Sequence, residues 1–331
     1  MSKSGPLSLP PLRQLSWCRP GRIARMLLAA GLAGALSHWT GAQTLSEDCK
    51  ARWAAFEAAA KSGGLATATA AEASLAGTPG CGRQRVAARE AMLDLHRAEA
   101  DRLKRENAAP AAQLAALEAA LPYGNAWNAW DIHARIGDLR RRMPAADGQP
   151  DHAAVSLAYD EAVRAIDLAP ASARPAEVEI GRLVGLAYQH EALSPKPVPR
   201  RATLSRTARQ INVEHTPVPL QFVYDSDKLT DAGLEQARNL LALLKEEGMP
   251  PIRVVGHTDP KGSDEYNDKL SVRRAVAVRN VLAAGGYPAH RIVAEGRGKR
   301  DIDKLRIVDQ SEFTVEQVHQ MLRRVELVPR P

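Results

Sequence analysis

The sequence predicts an α+β fold: an N-terminal all-α region of helical hairpins, then a C-terminal α/β sandwich ordered βαβαβαβ around a mixed sheet. Three observations carry this. Alanine is abundant and β-branched runs are few over roughly the first 200 residues. Apolar positions there recur at helical spacing. Beyond Pro195, Pro197 and Pro199 the pattern changes to short apolar runs alternating with amphipathic ones. The chain has 331 residues, 45% apolar but only 4% aromatic, which excludes a wholly disordered polypeptide and implies an aliphatic core.

Residues 1–42 read as a signal peptide. Lys3, Arg13, Arg19, Arg22 and Arg25 stand there without an acid, ahead of the apolar run Met26–Leu36 and the small residues Gly41 and Ala42. Cleavage after Ala42 is expected, with export to the periplasm. The formal net charge of +7 then means little, because the remaining chain holds 40 basic against 38 acidic side chains. No nucleic-acid partner and no transmembrane segment in the mature chain are expected. Cys18 is lost with the signal, leaving Cys49 and Cys81 to form a disulfide in an oxidising compartment. Lipid attachment at Cys49 is disfavoured by the polar Ser46, Glu47 and Asp48 before it.

The helical domain is placed at residues 43–193, with six helices. Trp53, Phe56 and Ala60 mark the first; Val86, Met92, Leu93, His96 and Leu103 the second; Leu114, Leu117 and Leu121 the third. Ile132, Ile136 and Leu139 mark the fourth, Val155, Leu157, Tyr159, Val163 and Ile166 the fifth, and Val178, Ile180, Leu183, Leu186 and Tyr188 the sixth. Gly63-Gly64, Pro79-Gly80, Pro110, Pro122, Pro144, Pro170 and Pro175 separate them. Trp127 and Trp130 read as packing anchors, and Arg140-Arg141-Arg142 as a solvated helix end. A Pro-rich linker is placed at 194–214, extended at about 3 Å per residue.

In the C-terminal domain, 215–331, Pro219–Tyr224 alternates like a strand. Thr230 caps a helix whose apolar face is Leu234, Ala237, Leu240, Leu241 and Leu244. Ile252–Gly256 is a second strand, and a polar loop leads to a helix bearing Leu270, Val278, Val281 and Leu282. Arg291–Glu295 is a third strand, Thr314 caps a third helix through Met321, and Arg323–Val328 is the last strand.

The informative stretch runs Gly256-His-Thr-Asp259, Gly262, Tyr266-Asn267, Leu270-Ser271 and Arg274-Ala275. It resembles the OmpA-like peptidoglycan-associating domain of outer-membrane proteins, Pal-type lipoproteins and flagellar stator proteins. That signature reads G-H-T-D, a Gly three residues on, then Y-N-x-x-L-S-x-x-R-A, and every position is matched at the same spacing over a likeness spanning about 215–328. Read as residues alone, Asp259 ends a strand and enters a loop, while Asn267, Leu270, Ser271 and Arg274 share one helix face. A carboxylate and a guanidinium then flank a shallow pocket suited to a zwitterion.

The resemblance implies that the ligand is the diaminopimelate stem peptide of peptidoglycan. It implies contacts from Asp259 and Arg274, support from Thr258, Asn267 and Leu270, and a further arginine at Arg324, with Arg323 versus Arg324 left open. Leu322 stands where the family has Asn, and Gly298-Lys299-Arg300-Asp301 replaces its Gly-Glu. The expected protein is non-catalytic, without cofactor or metal. It is associated with the cell wall at the outer membrane and tethers a helical scaffold that takes an envelope protein partner. The alternative is a periplasmic cell-wall hydrolase or metal-dependent peptidase using His257 and Asp259, with His290 a further drawn ligand; no H-E-x-x-H spacing supports it.

Overall fold

The computed structural model describes residues 45–330 apart from 63, 146, 197 and 199–215. The expected signal peptide, 1–42, and most of the expected linker, 194–214, lie outside the described residues.

Among the described residues, seven α-helices build the first half: α1 (Glu47–Lys61), α2 (Leu65–Leu75), α3 (Gly82–Arg105), α4 (Pro110–Glu118), α5 (Trp130–Arg140), α6 (His152–Leu168) and α7 (Glu177–Leu193). Ser46 caps α1 by accepting from the Cys49 amide, and Asp151 caps α6 by accepting from the Ala154 amide. α2 is one helix more than the sequence predicts. Its segment has only Leu65 and Leu75 as large apolar residues and no side-chain cap, so it lacks a readable stripe; burial of Ala68 and Leu75 holds it. Leu93, Leu117, Ile132 and Ile136 join α3, α4 and α5 in one cluster, and Val155, Tyr159, Val163, Ile180, Leu183 and Leu186 join α6 to α7 in another. Gly137 lets α5 approach α6 closely, because a Cβ there would lie 2.7 Å from the Tyr159 ring. Val86 and Val178, expected on the buried faces, are 59% and 73% exposed.

Cys49, in the first turn of α1, and Cys81, immediately before α3, form the expected disulfide, with Cα atoms 5.5 Å apart. The bridge closes 33 residues and is expected to stabilise the fold by about 3–4 kcal/mol on the chain-entropy model. Paired Cys49→Ser and Cys81→Ser substitutions should lower the urea midpoint, with a steeper slope because the unlinked denatured chain is more expanded; an unchanged midpoint would show that the bridge contributes nothing.

The second half contains β1 (Thr216–Val218), α8 (Asp231–Glu246), β2 (Ile252–Gly256), α9 (Asp264–Ala284), β3 (Ile292–Gly296), α10 (Val315–Leu322) and β4 (Val325–Pro329). The sheet order is β1-β4-β2-β3, with β2 and β3 parallel and β4 antiparallel to both β1 and β2. This is the mixed βαβαβαβ sandwich that the sequence predicts. The first strand is displaced: 216–218 pairs with β4, while Phe222 forms only an isolated bridge with Leu229. Val254, Ala275, Val278, Leu282, Val325 and Leu327 form the core between sheet and helices. Thr230 and Ser263 cap α8 and α9, and Thr314 with Gln317 forms a reciprocal capping box on α10.

The two halves lie within one compact unit, residues 46–331. Tyr188 Oη on α7 donates to the Met321 carbonyl at 2.5 Å, Gln189 Nε2 to Val308 O at 3.0 Å, and Gln320 Nε2 to Ala192 O at 2.8 Å. Arg141, from the triple arginine, reaches both Asp309 and Glu312 at 2.8 Å. That helix end is therefore an anchor to the second half rather than only a solvated terminus. No helix among the described residues is long and apolar enough to cross a membrane.

Candidate functional site

The site begins where β2 ends. Gly256 sits so close under α9 that a Cβ would overlap the Ser271 carbonyl, and at Gly296 a Cβ would come within 2.5 Å of Val272. The missing side chains bring α9 down on the sheet, so its Asn267-to-Arg274 face borders the loop leaving β2. That loop is held by backbone bonds, His257 N to Arg324 O at 2.9 Å and Thr258 N to Gly298 O at 3.0 Å. It is also held by the Lys261 amide donating to Asp259 Oδ1 at 2.9 Å. Asn267 Nδ2 donates to Lys261 O at 2.8 Å, so this amide fixes the loop rather than standing free.

A cavity of about 190 Å³ opens there, and Thr258, Asp259, Asn267, Leu270 and Arg274 all line it. Five of the six residues expected at the ligand are thus brought together. The sixth, Arg324, is not in the lining; its neighbour Arg323 is. Arg324 is fully buried and donates through Nε to Glu326 Oε1 at 2.8 Å. Glu326 also faces His257 Nε2 at 3.3 Å. Burial alone would raise the Glu326 carboxyl, but the His257 hydrogen bond and the Arg324 charge outweigh it and hold it at about 2. The available signal was Glu326 itself, two residues from Arg324 and so on the same side of an extended chain.

Asp259 accepts from Arg323 Nη1 at 2.7 Å through its second oxygen. Arg323 Nη2 and Lys261 Nζ converge on Glu316 at 3.1 and 2.8 Å. Arg274 is held differently. Its guanidinium lies 5.0 Å from the Phe222 ring centroid, and Nε donates to the Ser226 carbonyl at 3.0 Å. Burial first, then the Arg323 charge, draws Arg274 down to about 10 against the pull of Asp259; it still carries its charge at neutral pH. Arg274 Nη1 and Thr258 Oγ1 are buried without a hydrogen-bond partner among the described residues. Unmade bonds of buried polar groups cost about 1–3 kcal/mol each, so both groups call for an outside partner. Tyr224, 72% exposed, and Tyr266, whose hydroxyl donates to Asp225 at 2.6 Å, stand at the rim. Asp225 lies in the Phe222–Ser226 stretch that also resembles the family, but neither its place in this cavity nor that of Lys261 is readable from spacing.

His257 is buried against Glu326, whereas Asp259 is paired with Arg323, and His290 lies exposed beyond α9. Among the described residues no group of three His, Cys, Asp or Glu side chains is placed to hold a metal ion.

Comparison with known proteins places these observations. The OmpA family matches residues 221–321. Outer membrane porin F of Pseudomonas aeruginosa is 38% identical over 81 residues, 24% of this chain and 23% of that protein. Outer membrane protein A of Bordetella avium is 32% identical over 100 residues, 28% of this chain and 52% of that one. The chain spans from 13% to 52% of the length of such outer-membrane relatives. Among solved structures, the peptidoglycan-associated lipoprotein from Burkholderia pseudomallei is 27% identical over 34% of this chain and 88% of its own, with a TM-score of 0.28.

Proposed function

We propose that the chain, whose residues 221–321 match the OmpA family, is a non-catalytic cell-envelope protein that binds peptidoglycan non-covalently through the diaminopimelate residue of its stem peptide. The observation that carries this is the pairing, in one cavity, of the Asp259 carboxylate with the unpartnered Nη1 of buried Arg274. A zwitterion supplies what each lacks. Its ammonium sits on Asp259, which keeps Arg323 as a second neighbour, and its carboxylate takes Arg274 Nη1 and the Thr258 hydroxyl. Asn267 and Leu270 hold the loop and the floor. Two or three such bonds support monovalent affinity of about millimolar to tens of micromolar; a polymer that presents many copies sustains attachment. Relatives named as outer-membrane proteins support an envelope location, and the docked helical half is the scaffold so tethered.

The test is co-sedimentation of the full chain with purified sacculi. Asp259→Asn and Arg274→Ala should each reduce the bound fraction at least tenfold while circular dichroism is unchanged. Wild-type sedimentation of both folded variants removes this site from the proposal, and release of muropeptides by the wild-type chain would overturn its non-catalytic character.

A further inference from the structure

We propose that the ligand groove continues past Arg274 into a second, anion-selecting subsite whose far wall belongs to the helical half. This rests on the zwitterion reading above. A separate cavity of about 230 Å³ adjoins the first; Tyr224, Arg274 and Arg323 line both. The two differ in charge. The first contains Asp225 and Asp259 beside its cations, whereas no acidic side chain lines the second. Its charged groups are the two guanidinium groups, of which Arg323 is paired with Asp259 and Glu316. Gln221 and Gln320 each spend one amide N–H on a carbonyl, of Ser194 and Ala192, and have a second to offer, and Phe222 provides an apolar face.

Ala192, from the last turn of α7, closes the far side. It is brought there by Gln320 donating to its carbonyl and by Tyr188 donating to Met321. A guanidinium carries five N–H donors, and the Arg274 Nε is the one spent on Ser226, so this side chain can serve both cavities. A cavity lined by two arginines, two amides and no acid takes a carboxylate on an amide-bearing backbone. The occupant is therefore the residue of the same peptide next to the zwitterion, where that residue carries a free carboxylate. On this assignment the helical half is part of the binding site and discriminates between free and amidated wall peptides.

The experiment is calorimetric titration of the full chain with three probes. They are free diaminopimelate, a tripeptide ending in diaminopimelate whose penultimate residue has a free carboxylate, and the same tripeptide with that carboxylate amidated. The acidic tripeptide should bind about tenfold more tightly than its amide, a difference of about 1.4 kcal/mol, and the amide should bind about as well as free diaminopimelate. Gln320→Glu, which places a carboxylate in the second cavity, should erase that ratio and leave free diaminopimelate unaffected. Ala192→Leu, which alters no charge, should do the same by filling the space. Equal affinity of the two tripeptides, or a ratio preserved in both Gln320→Glu and Ala192→Leu, overturns the subsite while leaving the zwitterion site standing. Failure of all three probes to bind brings down both.

Discussion

Arg324→Met is expected to destabilise the folded chain by about 3–5 kcal/mol while leaving sacculus binding intact at temperatures well below the transition. Arg324 has no exposed surface, and its Nε and Nη2 approach Glu326 Oε1 at 2.8 and 2.7 Å. Nη2 also donates to the Asp301 carbonyl at 3.1 Å. Deleting one member of a buried pair leaves the other charge without its counter-ion, which costs far more than the pair contributes. Methionine fills much of the volume but carries no charge, so Glu326 loses the guanidinium that faces it. Arg324→Met combined with Glu326→Leu should recover most of the loss, because the buried charge leaves with its partner. Urea denaturation of the three variants checks this. A single variant as stable as wild type would mean that the pair is electrostatically idle, and loss of binding in a folded Arg324→Met would return Arg324 to the ligand site. Arg323→Ala is the converse substitution: it removes the partner of Asp259 from the cavity.

Acidification from pH 7 to 5 should loosen the fold through one buried histidine pair. His152 on α6 and His190 on α7 meet through their Nδ1 atoms at 2.9 Å, so one ring donates and the other accepts, and both cannot hold a proton there. Burial first, then His152, then the Arg141 guanidinium, pushes His190 down to about 3. Burial lowers His152 as well, partly opposed by Asp151 and Asp147. Phe313 packs on His190 from the second half and Tyr159 from α6. Each ring is neutral in the folded chain but takes a proton near pH 6.5 once unfolded. The unfolded state therefore binds more protons, and stability is full above pH 6.5 and falls as pH drops toward 3. One histidine held neutral in this way forfeits about 1.4 kcal/mol per pH unit, or about 2 kcal/mol by pH 5. His190→Gln should flatten the stability profile between pH 6.5 and 5 by about one proton. An unchanged slope in that variant would assign the acid sensitivity elsewhere, His257 being the next buried candidate.

Much of the architecture was legible because its determinants are contiguous. Thr230 and Thr314 were readable as caps, since each bonds an amide three residues ahead. Apolar stripes located six of the seven helices in the first half, and α2 escaped because alanine packs without marking a face. The first strand was misplaced because Pro219–Tyr224 alternates like a strand, yet β4 pairs with 216–218. At the site, the motif spacing located Thr258, Asp259, Asn267, Leu270 and Arg274, all within 17 consecutive positions spanning a loop and one helix. The arginine opposite Asp259 was not legible. Arg323 and Arg324 are adjacent and alike, and what separates them is that one meets a cavity and the other a buried carboxylate.

By itself the sequence determined the fold class, the disulfide partners and the carboxylate–guanidinium motif, because periodicity, capping and short spacings are properties of neighbouring residues. Only the tertiary structure decided which groups are spent and which are free. Asp259 is engaged by a residue 64 positions away and Arg274 by one 48 positions away. The wall of the second cavity comes from a helix joined to Met321 across 133 positions. Such pairings follow from how packed elements bring distant segments together, and burial then turns each made or unmade hydrogen bond into stability or into affinity for a ligand.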